Sequence, residues 1–276
     1  MRIRYEGVVL EVDTRDWYQR TLLRRRAKAA IGRFIRRPYI TEDYLRTAAE
    51  ILSRYPGGVV IDVGSNMGAT ALPLAGRFPL STVVAVDAHP VAGSNFLRNR
   101  RLNGLTNVHF VAAAIGDGPG LAEIHSCPTN SGGHRLTGFD GRKDVSPQRR
   151  ETTVVPVIRL DSLWERFALR DCTLLKVDTE GYEVSVLRSA GSLLTPSRIQ
   201  HVICEYGPEG LRSAGFSGAD LLQLMINAGY RGVDLHSGRP LRSVSDIPDL
   251  PDFHVTDWWF SASEGHGAGG QARGPG

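Results

Sequence analysis

Seven consecutive residues, Asp62-Val63-Gly64-Ser65-Asn66-Met67-Gly68, carry the types and spacing of a ligand-binding turn. The β-branched run Val59 to Val63 ends in it and a helical pattern, Ala69 to Arg77, follows at once. The turn therefore falls at the carboxyl edge of a strand, where open α/β sheets bind ligands. Gly64 and Gly68 remove Cβ atoms where a ligand approaches the backbone, and the helix start offers N–H groups without partners inside the helix. A dinucleotide turn requires G-x-G-x-x-G, but Asn66 holds the place of the middle glycine, and the G-K-[ST] of a phosphate loop is absent. Phosphate-bearing ligands lose ground accordingly. A nucleoside with an amino-acid end gains it, because Asp62, Ser65 and Asn66 supply the carboxylate and amide that S-adenosylmethionine needs there.

A second acid follows at a telling distance. The next apolar run closes with Val86-Asp87-Ala88-His89-Pro90, which sets Asp87 about 20 residues past the turn, the place of a carboxylate that accepts both ribose hydroxyls. Capping of the helix that begins at Pro90 is the structural alternative and does not exclude ribose binding. His89 reads as a turn residue. Ala114, just beyond the third run, completes the expected cofactor-binding set of Asp62, Gly64, Ser65, Asn66, Gly68, Asp87 and Ala114.

These residues need a scaffold, and the periodicity supplies one. Val59 to Val63, Val83 to Val86, Val108 to Val111, Leu174 to Val177 and Val202 to Cys204 are short apolar runs. Between them lie helical patterns at Val91 to Asn103, Ser162 to Phe167 and Tyr182 to Ser189, the signature of a parallel sheet covered on both faces. Helix Ala219 to Asn227 leads into Tyr230 to Leu235, and Thr256 to Ser261 gives a last strand, so these two can form a terminal antiparallel pair. The expectation is a doubly wound, Rossmann-like α/β sheet occupying residues 47–263. Residues 127–150, polar and glycine-rich, read as a substrate loop or lid. The glycine-rich residues 264–276 read as a disordered tail.

Residues 1–46 read as a basic helical extension. Between Arg20 and Arg37 stand eight basic residues and no acidic one, with Leu23, Ala27, Ala30, Ile31, Phe34 and Ile35 on one stripe. Such a surface suits nucleic acid, an acidic carrier protein or a lipid headgroup, though a solvated helix packed on the domain is the favoured explanation, and no nucleic-acid partner is expected. No run approaches the roughly 18 apolar residues of a membrane span, and the start lacks the apolar core of a signal peptide, so a cytoplasmic protein is expected. Three widely spaced cysteines, Cys127, Cys172 and Cys204, indicate neither a disulfide framework nor a zinc knuckle.

The turn, the Val86 to Pro90 strand end, Ile158-Arg159-Leu160-Asp161-Ser162-Leu163, Leu174-Leu175-Lys176-Val177-Asp178-Thr179-Glu180-Gly181-Tyr182-Glu183 and Cys204-Glu205-Tyr206 together resemble the FkbM-type family of class I S-adenosylmethionine-dependent methyltransferases. The resemblance covers about Glu42 to Ser263. It departs at Ser65, where the family more often has alanine, and at Asp87 and His89. It implies a seven-stranded sheet with a terminal antiparallel pair, and methyl transfer to a hydroxyl, often on a sugar, glycoside or natural product, as in secondary metabolism.

Methyl transfer from a sulfonium is an in-line displacement, so the protein must align the acceptor oxygen and remove its proton. Asp178, at the end of the fourth run, is the first candidate for that task. Lys176 shares its face of the strand and can hold it ionised. Glu205 is a second carboxylate for the crevice, and His134, in Asn130-Ser131-Gly132-Gly133-His134, is the imidazole candidate. Glu183 opens a helix, where acids sit for dipole reasons alone, and Asp161 reads as a helix cap. Asp178, Glu180 and Glu205 are hard ligands suited to magnesium, but no His-plus-carboxylate set accompanies them and a metal is not favoured. Two other functions stay open: an NAD-dependent oxidoreductase, disfavoured by Asn66, and a membrane or nucleic-acid adaptor built on the basic helix.

Overall fold

The computed structural model describes residues 1–23, 43–126, 135–137, 151–251 and 254–262. The chain opens with an antiparallel hairpin, β1 (Arg2–Tyr5) and β2 (Val8–Glu11). Residues 17–23 are helical, and α1 (Asp43–Arg54) precedes the first core strand, β3 (Val59–Val63). Then α2 (Ala71–Arg77), β4 (Thr82–Asp87), α3 (Pro90–Leu102) and β5 (Val108–Ala112) alternate. Four short strands follow, β6 (Ala114–Ile115), β7 (Gly120–His125), β8 (Arg135–Thr137) and β9 (Thr152–Ile158). The second half runs α4 (Ser162–Phe167), β10 (Cys172–Val177), α5 (Glu183–Arg188), β11 (Ile199–Tyr206), α6 (Pro208–Ser213) and α7 (Gly218–Asn227). It ends with β12 (Tyr230–Asp234), β13 (Pro240–Leu241) and β14 (Thr256–Ala262).

The main sheet has the order β13-β12-β14-β11-β10-β3-β4-β5. Strands β3, β4, β5, β10 and β11 are parallel, while β14 pairs antiparallel with both β11 and β12. The expected doubly wound sheet with its terminal antiparallel pair is therefore present. An eighth strand, the two-residue β13, adds to the expected seven at the β12 edge.

Alternation along the strands divides the core into two layers. Val60, Leu174 and Ile203 face one layer with α1, α2 and the hairpin. Ile61, Leu175 and Val202 face the other with α4, α5 and α7. Both faces of β10 are buried, which is why it reads as a largely apolar run broken by Thr173 and Lys176.

Two regions depart from expectation. The helical extension expected over residues 1–46 begins instead with the β1–β2 hairpin, whose Ile3, Tyr5, Val8 and Leu10 are buried. Glu6 and Gly7, at φ 43° and 90°, make its turn. Asn103 Oδ1 and Asn99 Oδ1 of α3 accept the Val9 and Glu11 N–H groups, each at 2.7 Å. The second region is a separate sheet of order β6-β9-β7-β8, in a stretch where no strand is expected. Pro156 lies within β9, and a proline weakens the strand signal because it cannot donate to the ladder.

Most of the expected basic helix, the expected lid including Cys127 and His134 but not Arg135–Thr137, and the glycine-rich tail lie outside the described residues. Among the described residues, no helix is long and apolar enough to cross a membrane. Cys172 and Cys204 are buried free thiols.

Candidate active site

The loops after β3, β4, β10 and β11 meet over the carboxyl ends of these strands and enclose a cavity of about 370 Å³, within the range of small-molecule sites. The glycine turn forms its floor. Gly64, at φ 82°, lies so close to the β10 loop that a Cβ built there would stand 1.7 Å from the Asp178 carbonyl oxygen. Glycine is thus demanded by chain-to-chain approach as well as by conformation. Gly64 and Ser65 N–H both donate to the Val86 oxygen, at 2.9 and 3.0 Å, tying the turn to β4. Asn66 takes φ 47°, a left-handed conformation that asparagine tolerates better than most side chains.

Asp87 stands at one end of the cavity. Its carboxylate accepts the Asn66 N–H and the His89 N–H, each at 2.8 Å, so it fixes the turn while facing the space above it. Burial pushes its pKa up to about 6 against those two hydrogen bonds, with Asp178 adding to the rise. His89 is buried and its Nε2 lies 2.8 Å from Ser126 Oγ, in keeping with a turn residue.

The other end is acidic. Lys176, only 5% exposed in its side chain, donates to Asp178 Oδ2 at 2.8 Å. Burial works to lower the lysine's pKa, but Asp178, Asp62 and Asp257 outweigh it and hold the ammonium charged. The Tyr44 ring centroid lies 5.3 Å from Lys176 Nζ, a cation–π contact. Asp178, Glu180 and Glu205 can each bring one oxygen within 4.8 Å of the others. Burial, then the charges of Asp178, Glu180, Glu183 and Asp257, push the Glu205 carboxyl well above the usual range.

Glu183 explains how the loop holds its shape. Its Oε1 accepts the Thr179 N–H at 2.9 Å, the Thr179 hydroxyl at 3.1 Å and the Gly181 N–H at 3.0 Å. These bonds bend the chain so that Glu180 takes φ 56°, a strained conformation of the kind stored at functional sites. A Cβ on Gly181 would fall 2.2 Å from the Gly210 oxygen, so α6 buttresses the loop from behind.

Of the expected site residues, Gly64, Ser65, Asn66, Asp87, Ala114, Asp178 and Glu205 all line the cavity. Asp62 and Gly68 do not. Asp62 is fully buried beneath the turn; burial raises its pKa to about 6, opposed by Lys176 and assisted by Asp178 and Asp87. Gly68 serves packing, since a Cβ there would meet Leu72 at 2.6 Å and Phe96 at 3.1 Å. Asp161 occupies the N-cap position of α4 without a side-chain cap bond; its carboxylate instead takes Arg159 Nη2 at 2.8 Å. Unforeseen cavity walls are Trp17, Tyr18, Thr70, Ile124, Tyr182 and Val255. Only Tyr182, inside the acidic motif, carried a sequence signal.

Residues 62–231 match the model of the FkbM methyltransferase domain. Methyltransferase 1 of Beauveria bassiana is 29% identical over 141 residues, 47% of this chain and 57% of the relative, so the match spans little more than half of that protein. A TehB-like S-adenosylmethionine-dependent methyltransferase from Corynebacterium glutamicum is similar over 89% of this chain and 97% of its own, at 11% identity and a TM-score of 0.43. Precorrin-6y C5,15-methyltransferase from Geobacter metallireducens is similar over 79% and 86%, at 10% identity and a TM-score of 0.42. Identities this low transfer no substrate. With the family match running from the glycine turn through the acidic loop to β12, the chain belongs to the FkbM methyltransferase family.

Proposed function

We propose that the protein transfers a methyl group from S-adenosylmethionine to a hydroxyl of a small metabolite, sugar or natural product. The observation that carries this reading is the Lys176–Asp178 pair, which faces the same cavity as the glycine turn and Asp87. The residues suit the cofactor. Asp87 is placed to accept ribose hydroxyls, and Gly64, Ser65 and Asn66 present backbone and amide groups for an amino-acid end. When bound, the cofactor supplies an electrophilic methyl on a sulfonium.

The chain's own task is to orient the acceptor and move one proton. The cofactor's sulfonium would supply the methyl and leave as a thioether, and Asp178 would take the proton of the acceptor hydroxyl, a step that a positioned base accelerates by roughly 10²–10⁴-fold. Lys176 holds the Asp178 carboxylate in place through its 2.8 Å hydrogen bond. Glu205, whose carboxyl is pushed well above the usual range by burial and by the neighbouring acids, is a second group for contact with the acceptor. His134, outside the described residues, is a second candidate base.

Asp178→Asn should lower turnover by roughly 100-fold while S-adenosylhomocysteine binds with unchanged affinity in calorimetry. Undiminished turnover would remove Asp178 from the role. The oxygens of Asp178, Glu180 and Glu205 lie close enough to favour a second reading, in which they hold a divalent cation that polarises the acceptor. Turnover lost in chelator and restored by magnesium would select it.

A further inference from the structure

His89 stands in the loop between β4 and α3, yet it is only 5% exposed. The methyl-transfer chemistry above leaves it without a task, and the family resemblance departs at this position. Backbone and ring of this one residue hold two different parts of the protein. Its N–H donates to Asp87 Oδ1 at 2.8 Å, while its Nε2 lies 2.8 Å from Ser126 Oγ, 37 residues further along the chain. Ser126 follows β7 directly, and its N–H donates to the Glu151 oxygen at 2.9 Å, which extends the antiparallel β7–β9 ladder by one step. The ring of His89 thus fastens the loop after β4 to the separate sheet. Losing one partner of such a shielded hydrogen bond leaves the other poorly solvated, so the contact holds more firmly than one in open water.

What the fastening holds is a wall of the cavity. Side chains two apart along a strand share a face, so Ser126 continues the face of β7 that carries the buried Ala122 and Ile124. Ile124 belongs to an apolar cluster with Ala114, Val155 and Val157, against which Ala88 packs. Ile124, Ala114 and Ala88 all line the cavity. They do so at the Asp87 end, because Ala88 adjoins Asp87 in the chain and Ala112, two residues before Ala114, pairs with Asp87 across β4 and β5. That end is therefore a carboxylate beside an aliphatic wall, and the separate sheet contributes Ile124 to it. A ribose suits the carboxylate, and the flat face of the attached base suits the wall.

We propose that His89 is a positioning residue for the nucleoside end of the cofactor: its backbone N–H fixes the ribose acid, and its ring fastens β7 so that Ile124 covers the base. This inference rests on the methyl-transfer reading and gives the separate sheet a part in cofactor binding. Its test titrates the full chain by calorimetry with S-adenosylhomocysteine and with adenosine, which lacks the amino-acid end. His89→Phe keeps the backbone N–H but loses the contact with Ser126, so both ligands should bind about tenfold more weakly. His89→Gln, whose amide can reach the serine hydroxyl, should recover most of that loss. Ser126→Ala should match His89→Phe, and the double variant should lose nothing further, as two residues acting through one contact require. In the wild type, NMR should show cross-relaxation between the adenine protons of bound S-adenosylhomocysteine and the Ile124 δ-methyl, whose signal is identified by its disappearance in Ile124→Val.

Wild-type affinity in His89→Phe and Ser126→Ala overturns the proposal, and Ser126→Ala alone decides the matter if His89→Phe does not fold. Losses that add in the double variant overturn it as well, and so does the absence of contact between adenine and Ile124. A loss confined to S-adenosylhomocysteine, with adenosine unaffected, overturns it by moving the effect to the amino-acid end. A wild-type protein that fails to bind S-adenosylhomocysteine overturns the methyl-transfer reading itself.

Discussion

The two ends of the cavity are built by different means. At the glycine turn, backbone does the work: Gly64 and Ser65 N–H groups tie β3 to β4, Asn66 takes a left-handed φ, and Gly64 leaves no room for a side chain beside Asp178. At the acidic end, side chains dominate, with one buried lysine set among Asp178, Glu180, Glu205, Asp62 and Asp257. A site built on backbone tolerates few substitutions and loses shape when one is made. A site built on charge keeps its shape and changes its protonation. The contrast predicts that mutations at the first end damage fold and cofactor binding together, while those at the second separate stability from catalysis.

Gly64→Ala should have the largest effect. The new Cβ cannot coexist with the Asp178 carbonyl, so a loss of about 3 kcal/mol or more is expected in denaturant unfolding, together with loss of S-adenosylhomocysteine binding. An alanine variant of normal stability would show that the two loops are not packed as described. Lys176→Met comes next, at about 2 kcal/mol. Breaking a fully buried pair costs about 3–5 kcal/mol, but Asp178 keeps 37% of its side chain exposed and recovers part of that from water. In this variant turnover should also fall, because Asp178 has lost the hydrogen bond that orients it.

Asp87→Asn probes the first end through its side chain, which accepts the Asn66 and His89 N–H groups. The amide keeps the shape but gives up the charge that strengthens bonds to ribose hydroxyls, so S-adenosylhomocysteine should bind about tenfold more weakly, about 1.4 kcal/mol. Unfolding should change little. An unaltered affinity would leave Asp87 as a brace for Asn66 and His89 only.

Asp62→Asn is the subtlest test. Its folded pKa of about 6 lies above its ordinary 3.8, so the native state holds the proton more tightly than the unfolded chain. Stability from this group is therefore complete below pH 3.8 and is lost as pH rises through 6. The full difference is about 3 kcal/mol at neutral pH, of which a buried amide, still needing partners of its own, should recover about 1 kcal/mol. Thermal melts at pH 5 and pH 7.5 should lie closer together in the variant than in the wild type. A wider separation would reverse the sign assigned to Asp62.

The same contrast governs what could be read from the chain. Backbone-built features announce themselves locally, because the two glycines, the asparagine between them and the acid after the next strand must occur at fixed intervals. Short continuous apolar runs likewise mark the central sheet, since β10 and β3 are buried on both faces. Asp178 and Glu205 were legible as acids ending parallel strands. Asp62 and Gly68 were assigned to the ligand because a turn motif does not reveal which of its members point up into a cavity and which pack below. Trp17, Tyr18 and Val255 left no trace in sequence, as their place depends on a hairpin and a final strand brought together only by the tertiary fold. The Glu6-Gly7 turn, with Ile3, Tyr5, Val8 and Leu10 alternating around it, was a local signal outweighed by the arginine-rich stretch that follows.

The proposed function requires the cavity to bind a nucleoside with an amino-acid end, a preference that titration calorimetry of the wild-type chain measures. S-adenosylhomocysteine should bind with one-to-one stoichiometry and NAD should give no saturable heat. Tight binding of NAD with none of S-adenosylhomocysteine would overturn the proposed function.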